Sequence, residues 1–516
     1  MENSMRSKKA FYNFTTSLLL QFITAAIGLI LPRLYIEAYG SEINGLVSSI
    51  RQFLSYLTIV EAGVGAASIA ALYSPIALGD RNGINSILSA TKTFYRRSGY
   101  LFIFLVIVLA FLYPMIVDGE VSGTISLMMV LILGISGMME YLIIGKYQVM
   151  LTADQKSYIV NIVQISGILL NALVSILMIK GGFTVIAVQV TCTLVYVSRM
   201  FFLIGYVKKR YSTINFDSEP NFSVISNRWD ALVHQIAGLV VFSTPIVIVT
   251  IFCGLKEVSV FAIYNLIISG VVMLVSAFSN GLMAAFGEIL AKGERITLQR
   301  TFNDFESMYY LVMTWAYTSA ALLFLPFVQV YTSNVQDVDY IRPSVAILFI
   351  IVGVSNSIRV PPMTLVNAAG HYTQTKYRSI IEALINISVS LILVQSMGLE
   401  GVLLGSICSY AYRTIDFIVY SSRHILERPI KYTFYKLTYN IVLAALAMLP
   451  FYTVFNIKAE GLLEWIRWAF IVGIWVLVVI SVGNSFIAPT AMKNIVFRMK
   501  KLFLTNKSFS KIRKFN

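Results

Sequence analysis

The sequence predicts an all-α polytopic membrane protein of about fourteen transmembrane helices, arranged as two parallel repeats of six helices followed by two C-terminal helices. The composition, the length of the apolar blocks and a weak internal repeat all indicate this class. Of the 516 residues, 57% are hydrophobic and only 13% are charged, and the mean hydropathy is +0.76. A soluble domain has too little interior to bury so large an apolar fraction.

The apolar residues occur in long blocks. A spanning helix needs about 20 mostly apolar residues, and backbone groups in lipid must bond internally, so we interpret each block as a helix. The first block follows Lys8 and Lys9 and runs too long for a cleavable signal peptide. We count about fourteen blocks of spanning length, which begin near Phe14, Ile43, Gly99, Thr124, Ser157, Thr184, Val233, Val258, Met308, Ile341, Ser379, Glu400, Leu437 and Trp465.

Short loops separate most blocks, and the longest inner loop follows the sixth block. No soluble domain is expected on either side of the membrane. The expected organisation is a cytoplasmic N-terminus (1–13), a first six-helix lobe (14–206), a cytoplasmic linker (207–232), a second six-helix lobe (233–420), two helices with their preceding loop (421–488) and a basic cytoplasmic tail (489–516).

Two segments that lie 215 residues apart have similar sequences. Ile168–Gly182 reads ILLNALVSILMIKGG and Ala383–Met397 reads ALINISVSLILVQSM, with Asn171 and Asn386 in the same register. Internal repeats of this kind are typical of transporters. Each copy runs from the expected inside to the expected outside, so we expect parallel repeats related by an axis along the membrane normal.

Basic residues concentrate in alternate loops. With the N-terminus placed in the cytoplasm, 30 of the 40 Lys and Arg residues fall in inner segments and 5 in outer segments. This bias predicts an even number of spans with both termini in the cytoplasm. The net charge of +15 therefore reflects topology and not nucleic-acid binding. We expect the basic tail Lys493–Lys514 to be attracted to anionic membrane lipid.

Arginines lie inside the predicted spans, where a charge costs about 2.5–3.5 kcal/mol at the bilayer centre. A guanidinium stays charged and can donate two parallel hydrogen bonds to a phosphate. We therefore predict that these arginines line a cavity for an anionic head group such as a pyrophosphate. The alternatives are that Arg33 and Arg199 extend to the membrane surface and that Arg413 pairs with Asp416. The candidates are Arg33, Arg51, Arg199, Arg359 and Arg413.

Four carboxylates also lie in or near the spans, at Glu61, Glu140, Glu382 and Asp416. Glu61 and Glu140 have no adjacent partner in the sequence and are the best candidates to bind a coupling proton or sodium ion. The alternative for both is a structural pair with one of the arginines. Glu382 lies at the expected inner end of its helix, where water would solvate it. We expect no other cofactor.

Prolines occur at matching places in the two halves. Pro32 lies in the first span and Pro245 in the seventh, and each removes a backbone hydrogen bond and bends or breaks its helix. Paired breaks of this kind indicate a transport cavity. Pro361 and Pro362 follow Arg359, so we expect the tenth span to be disrupted there.

Two glycine-containing segments also correspond between the halves. Gly63–Ala67 reads GVGAA in the second span and Gly281–Ala285 reads GLMAA in the eighth. Because small residues allow helices to approach closely, we interpret both segments as packing sites.

The sequence offers little for catalysis. It contains no GxxxxGK[ST] loop, so ATP is not the expected energy source. The three histidines lie far apart at expected span ends, and the three cysteines have no CxxC spacing. The outer loops are also too short to carry a catalytic site. We therefore expect neither an enzyme nor a metal centre.

Two segments resemble a known family. Leu31–Ala77 (LPRLYIEAYGSEINGLVSSIRQFLSYLTIVEAGVGAASIAALYSPIA) resembles the opening of bacterial polysaccharide repeat-unit flippases. These belong to the multidrug/oligosaccharidyl-lipid/polysaccharide flippase (MOP) superfamily. Arg228–Ile267 (RWDALVHQIAGLVVFSTPIVIVTIFCGLKEVSVFAIYNLI) resembles the start of their second half.

This resemblance implies two lobes around a central cavity and export of an undecaprenyl-pyrophosphate-linked oligosaccharide by alternating access. We also expect a monomer in the bacterial plasma (inner) membrane, working with glycosyltransferases and a polysaccharide polymerase. Basic residues of the first span line the cavity in relatives, and Arg33 is at a matching position. Many relatives carry an acidic residue where this chain has Pro245, so the resemblance supports no coupling role for the seventh span.

Other functions remain open at this stage. A lipid-linked peptidoglycan-precursor flippase would need the same anion-binding arginines. A multidrug or small-cation exporter of the same superfamily would need an acidic or apolar cavity, which the embedded arginines disfavour. A membrane enzyme such as a repeat-unit polymerase would need a sizeable outer loop.

Overall fold

The computed structural model describes residues 2–61, 63–223, 229–279, 282–455 and 457–487, together with 489, 492 and 493. Arg228, Gly281 and the basic tail beyond residue 493 lie outside this part. The described residues form helices and no strand. The helices are α1 Glu2–Tyr39, α2 Ser41–Leu57, α3 Val64–Leu78, α4 Arg81–Ile116, α5 Gly123–Met139, α6 Gly145–Ala153, α7 Ser157–Lys180, α8 Val185–Arg210, α9 Trp229–Cys253, α10 Leu255–Ser276, α11 Leu282–Ala291, α12 Arg295–Tyr331, α13 Pro343–Ile358, α14 Val360–Ala368, α15 Tyr372–Met397, α16 Leu399–His424, α17 Lys431–Thr453 and α18 Leu462–Ile487.

Thirteen stretches of the described residues are long and apolar enough to span a membrane. The first, Lys8–Glu61, is 54 residues long, or about 80 Å at 1.5 Å per residue, far more than the roughly 30 Å of a bilayer core. It contains α2 and the part of α1 from Lys8 onward, and the two helices separate at Gly40, where φ is +83°. The thirteen stretches thus account for the fourteen apolar blocks and confirm an all-α, multi-pass membrane protein.

Several helices begin well before their apolar blocks. α4 begins at Arg81, whereas its apolar block begins near Gly99. Asp80 caps this helix, because its carboxylate accepts a 3.0 Å hydrogen bond from the backbone N–H of Gly83. A polar, capped extension of this kind lengthens the helix but not its apolar block. The length of the block alone therefore understates the length of the helix.

The second and fourth elements of each half are interrupted. A 3₁₀ turn, Thr58–Glu61, separates α2 from α3, and a π turn, Glu140–Ile144, separates α5 from α6. In the second half α10 ends at Ser276 before α11 begins, and Arg359 separates α13 from α14. The interpretation of GVGAA as a packing site stays a prediction. Gly63 adopts φ +83° at the start of α3, a left-handed conformation that favours glycine.

The two single prolines do not break their helices. α1 runs through Pro32 and α9 runs through Pro245, so the expected break at Pro32 was wrong. One proline removes one backbone hydrogen bond, and the remaining turns continue the helix. By contrast, the consecutive prolines Pro361 and Pro362 do lie at a division, in the first turn of α14.

The chain forms two compact units. Unit 1 comprises Met1–Leu266, Asn334–Val338 and Ser379–Val402, and unit 2 comprises Ile267–Ser333, Asp339–Arg378 and Leu403–Asn516. The lobe boundaries expected from the loop pattern remain a prediction. In unit 1, α2 packs so closely on the start of α10 that a Cβ on Gly45 would lie 1.9 Å from the carbonyl oxygen of Leu255.

The two C-terminal helices pack on α12 within unit 2. Val472, Val476 and Ile480 of α18 are fully buried in a core shared with α12 and α17. The indole Nε1 of Trp315 in α12 donates a 2.9 Å hydrogen bond to the carbonyl oxygen of Gly473 in α18. These contacts fix α17 and α18 as part of unit 2.

Candidate functional site

A cavity of about 680 Å³ lies within unit 1, in the size range of small-molecule sites. Residues of α1, α2, α4, α5, α7, α8 and α10 line it, together with Thr58 of the 3₁₀ turn that follows α2. Most of them are apolar or neutral polar, and the described lining residues include no Asp, Glu or Lys. Arg51 is the one charged side chain among them.

Arg51 of α2 lines the cavity, and its side chain is exposed. It makes no hydrogen bond and no ion pair with any described residue. Its charge interacts over a longer range with Tyr35 and Cys192, which line the same cavity. An uncompensated guanidinium in a mostly uncharged cavity favours an anionic ligand.

Pro32 and Gly28 line the same cavity from α1. Because Pro32 has no backbone N–H, the carbonyl oxygen of Gly28 lacks its helical donor. The structure therefore places the predicted Pro32 and Arg51 together at one site. It does not bring Pro245 there, since that proline is not among the described lining residues.

The repeated segment contributes to the cavity through its first copy. Asn171 and Ser175 of α7 are lining residues, and both contact Cys192 of α8. The Asn171 side-chain amide donates a 3.2 Å hydrogen bond to the Cys192 carbonyl oxygen, and Ser175 Oγ lies 3.1 Å from Cys192 Sγ. In the second copy Ser390 similarly donates a 3.3 Å hydrogen bond to the next helix, at the carbonyl oxygen of Val402.

Two other predicted arginines of unit 1 have protein partners. Arg33 Nε lies 2.9 Å from the carboxylate of Glu37, one turn further along α1. The Arg199 guanidinium lies 4.1 Å from the ring centroid of Tyr196. Neither arginine is among the described lining residues of the cavity, so their predicted role in substrate binding has no support from its geometry.

Glu61 and Glu140 lie on the two irregular turns of unit 1 and have partners that the sequence did not indicate. Tyr95 donates a 2.5 Å hydrogen bond to Glu61, and Tyr196 donates a 2.9 Å hydrogen bond to Glu140. Neither partner is adjacent in the sequence, and neither is one of the arginines considered as the alternative. The charge of Arg199 also acts on Glu140, but the structure shows no direct ion pair between them.

Arg413 forms the expected local ion pair. Its guanidinium lies 2.7 Å from Asp416 Oδ2, and Arg378 lies 2.5 Å from the other oxygen of the same carboxylate. Arg413 is only 2% exposed. Asp416 therefore balances arginines from α15 and α16, and this geometry supports a structural role for Arg413 and Asp416.

Arg359 marks the expected disruption of the tenth span. It is buried, and its guanidinium lies 4.7 Å from the ring centroid of Tyr410. Pro362 cannot donate to the carbonyl oxygen of Ile358, which instead accepts a 3.2 Å hydrogen bond from Tyr310. A hydroxyl from α12 thus compensates for the helix break.

Glu382 was expected in water at a helix end, and this expectation was wrong. It lies in the interior of α15 and is only 7% exposed. α15 begins ten residues earlier, at Tyr372, because a polar first turn precedes the apolar block.

Solved structures share this architecture, although no protein-family model matches the sequence and no curated protein matches it significantly. An inward-facing multidrug resistance MATE family transporter of the MOP superfamily is 15% identical, with a TM-score of 0.64, and the match covers 81% of this chain and 98% of that one. The lipid II flippase MurJ in an inward closed conformation is 14% identical, with a TM-score of 0.60, over 92% and 98% of the two chains.

A MOP superfamily transporter from Pyrococcus furiosus, whose binding pocket is described as having reverse polarity, is 14% identical. Its TM-score is 0.57, over 82% of this chain and 95% of that one. The chain has the fold of the MOP superfamily transporters. At these identities the likeness establishes the fold alone.

Within this MOP fold, sequence reasoning missed a buried ionic cluster in unit 2. Glu306 of α12 is 1% exposed and pairs with Arg428 at 2.9 Å and with Lys436 at 2.8 Å. The basic residues were interpreted only as inner-loop charges. A carboxylate just before the apolar block of the ninth span was the available signal, since a buried acid requires a partner.

Proposed function

We propose that this protein is a flippase that moves undecaprenyl-pyrophosphate-linked oligosaccharide repeat units from the inner to the outer leaflet of the bacterial plasma membrane by alternating access. The observation that carries the proposal is the cavity of unit 1, in which Arg51 is the one charged side chain among the described lining residues. A cationic drug would be repelled by this guanidinium, whereas a pyrophosphate would be attracted.

Neutral polar groups complete a site suited to a phosphate joined to a sugar. The side-chain amide of Gln189 donates a 2.8 Å hydrogen bond to Tyr35, and Asn44 donates a 2.8 Å hydrogen bond to Ser259. Both amides line the cavity. The side-chain carbonyl oxygens of Gln189 and Asn44 receive no hydrogen bond from the described residues, so each is an acceptor for a sugar hydroxyl. The lipid tail would remain in the bilayer while the head group occupies the cavity.

Movement against a gradient needs an energy source. We propose that Glu61 and Glu140 bind a coupling proton or sodium ion, because both are carboxylates on irregular turns inside predicted spans. The repeat units would come from membrane glycosyltransferases and pass to a polysaccharide polymerase. The protein would act as a monomer, with both termini in the cytoplasm and the basic tail near anionic lipid.

A lipid-linked peptidoglycan precursor is the second candidate substrate. The match to MurJ, whose name gives lipid II as its substrate, covers 92% of this chain. Both substrates carry a polyisoprenyl pyrophosphate, and Arg51 would bind either. Complementation of cells that lack a peptidoglycan-precursor flippase separates the two candidates.

Translocation in cells that depend on this chain for polysaccharide export tests the proposal. Arg51→Ala should reduce the lipid-linked repeat units in the outer leaflet by about tenfold or more, since a charged hydrogen bond contributes about 1.5–3 kcal/mol. Arg51→Lys should retain part of the activity. Arg33→Ala, with its partner Glu37 outside the cavity lining, is the matched control and should export normally. Full export by Arg51→Ala, or altered drug susceptibility in place of altered export, would overturn the proposal.

A further inference from the structure

Tyr196 connects the cavity to Glu140, a partly buried acid. It lines the cavity from α8, and its hydroxyl donates a 2.9 Å hydrogen bond to Glu140. The guanidinium of Arg199 lies 4.1 Å from the centroid of the same ring. Glu140 is the first residue of the π turn, an irregularity that is rare in helices and frequent at functional sites. A ligand in the cavity can therefore reach Glu140 through a single side chain.

Phe102 begins a second, longer series of contacts, which leads from the cavity to Glu61. Phe102 lines the cavity, and its ring centroid lies 5.1 Å from that of Tyr141. Tyr141 lies 6.3 Å from Tyr95, which donates a hydrogen bond to Glu61. Thr58, the first residue of the 3₁₀ turn that ends at Glu61, also lines the cavity.

We propose that Tyr196 is a positioning residue that couples binding of an anionic head group in the cavity to protonation of Glu140. This inference rests on the proposed function and identifies the coupling ion as a proton. The hydrogen bond from Tyr196 stabilises the charged form of Glu140. If the hydroxyl turns toward a bound phosphate, Glu140 loses that donor and takes up a proton from water.

Several charged or titratable groups surround Glu140 and influence its protonation. Arg199, whose guanidinium lies over the Tyr196 ring, and Glu61 are the charged groups that act on Glu140. Tyr196 contacts the Glu140 carboxylate directly, through its 2.9 Å hydrogen bond. The facing groups are Tyr196 and Arg199 of α8, Glu61 of the 3₁₀ turn, Tyr95 of α4 and the neighbouring Tyr141.

Reciprocity makes the coupling measurable by equilibrium binding. If an anion favours protonated Glu140, then protonation must favour the anion by the same factor. Geranyl pyrophosphate is a suitable probe, with its dissociation constant measured on the purified full-length protein in nanodiscs. Between about pH 8 and about pH 5, the wild type should bind it more tightly by a factor in the range of about 5–150.

The pyrophosphate itself also titrates in this pH range, and its titration is the same for every variant. Comparison of variants therefore isolates the coupling between anion binding and protonation of Glu140. Tyr196→Phe keeps the ring under Arg199 and removes the hydroxyl, so most of the pH-dependent gain should disappear. Glu140→Gln should have the same effect, and the double variant should add nothing further. Tyr35→Phe is the matched control, because Tyr35 lines the same cavity but its hydroxyl bonds to Gln189. It should keep the wild-type pH profile.

The outcomes distinguish this inference from the proposed function. A Tyr196→Phe profile that superimposes on the wild-type profile overturns the coupling and leaves the anion site intact. An equal loss in Tyr35→Phe and Tyr196→Phe also overturns it, because that loss would reflect only the packing of the cavity. Absence of geranyl pyrophosphate binding to the wild type at every pH overturns the proposed function together with the coupling.

Discussion

One nitrogen of the Arg428 guanidinium lies 2.9 Å from both carboxylate oxygens of Glu306. Glu306 is 1% exposed and Arg428 is 8% exposed, so the pair is shielded from water. Thr433 and Lys436 of α17 complete the site with hydrogen bonds of 2.6 and 2.8 Å to the same carboxylate. Glu306 thereby ties α17 to α12.

Glu306→Gln should destabilise unit 2. The amide keeps the volume of the side chain but leaves the buried Arg428 and the partly buried Lys436 without a counter-charge, which costs about 3–5 kcal/mol for a buried pair. Thermal unfolding of the purified protein measures the loss. Glu288→Gln is the control, because that carboxylate pairs with Lys292 at an exposed position, and it should unfold at the wild-type temperature. Equal unfolding temperatures for the two variants would show that the cluster does not stabilise the protein.

Asp154 should give unit 1 a pH-dependent stability. It lies between α6 and α7, outside the candidate spans. Burial raises its pKa, but hydrogen bonds from Lys156, Tyr211 and Lys9 outweigh burial and hold the pKa below the ordinary value of 3.8. A carboxyl whose pKa is lowered by folding stabilises the folded state at pH values above its ordinary pKa. This contribution is lost as the pH falls through the folded-state pKa.

Asp154→Asn should therefore lower the free energy of unfolding at neutral pH by about 1.5–3 kcal/mol. The difference from the wild type should shrink once the pH falls below 3.8. Unfolding temperatures measured across this pH range give the result. Asp217→Asn, which alters an exposed pair with Lys92, should show little difference at any pH. A constant difference between Asp154→Asn and the wild type would contradict the assignment.

The hydrogen bond between Tyr310 and Ile358 predicts a compensating pair of substitutions. Tyr310→Phe leaves the Ile358 carbonyl oxygen without a donor and should cost about 1–3 kcal/mol. Adding Pro362→Ala supplies a backbone N–H at the helical position, so the double variant should regain much of this loss. A double-mutant cycle on unfolding free energies measures the coupling. Additive effects would show that the tyrosine does not replace the missing helical bond.

Gly45 and Gly238 should respond oppositely to alanine. A methyl group on Gly45 would meet the backbone of Leu255 at 1.9 Å, whereas nothing lies within 4 Å of a methyl group on Gly238. Gly45→Ala should cost about 1–3 kcal/mol or more, because backbone must move. Gly238→Ala should be neutral or stabilise by up to about 1 kcal/mol, since alanine favours helix. Similar unfolding temperatures for the two variants would contradict the close packing of α2 on α10.

The sequence predicted the helical spans well because the thickness of the bilayer core sets the length that an apolar block needs to cross it. It predicted the interruption at Pro361 and Pro362 because consecutive prolines remove consecutive backbone donors. It did not predict the break before Gly63, since a 3₁₀ turn has no compositional signature. Pro32 shows the opposite error, because one missing hydrogen bond does not end a long helix.

The site was harder to predict for a related reason. Arg51 could be identified as an embedded charge, but the sequence could not separate it from Arg33, whose partner Glu37 lies one turn away. The partners of Glu61 and Glu140 are tyrosines 34 and 56 residues distant. Such pairs depend on which helices pack together, and a single sequence does not contain that information. Embedded charge therefore identified the candidates, and packing determined which of them share a site.

Translocation in proteoliposomes is the most direct test of the central claim that Arg51 holds the pyrophosphate of a lipid-linked oligosaccharide. The substrate would be a polyisoprenyl-pyrophosphate oligosaccharide, detected by its exposure to an impermeant glycosidase. The account predicts translocation by the wild type, a decrease of about tenfold or more in Arg51→Ala, and normal rates in Arg33→Ala. Equal rates for the wild type and Arg51→Ala, or for the wild type and protein-free liposomes, would contradict it.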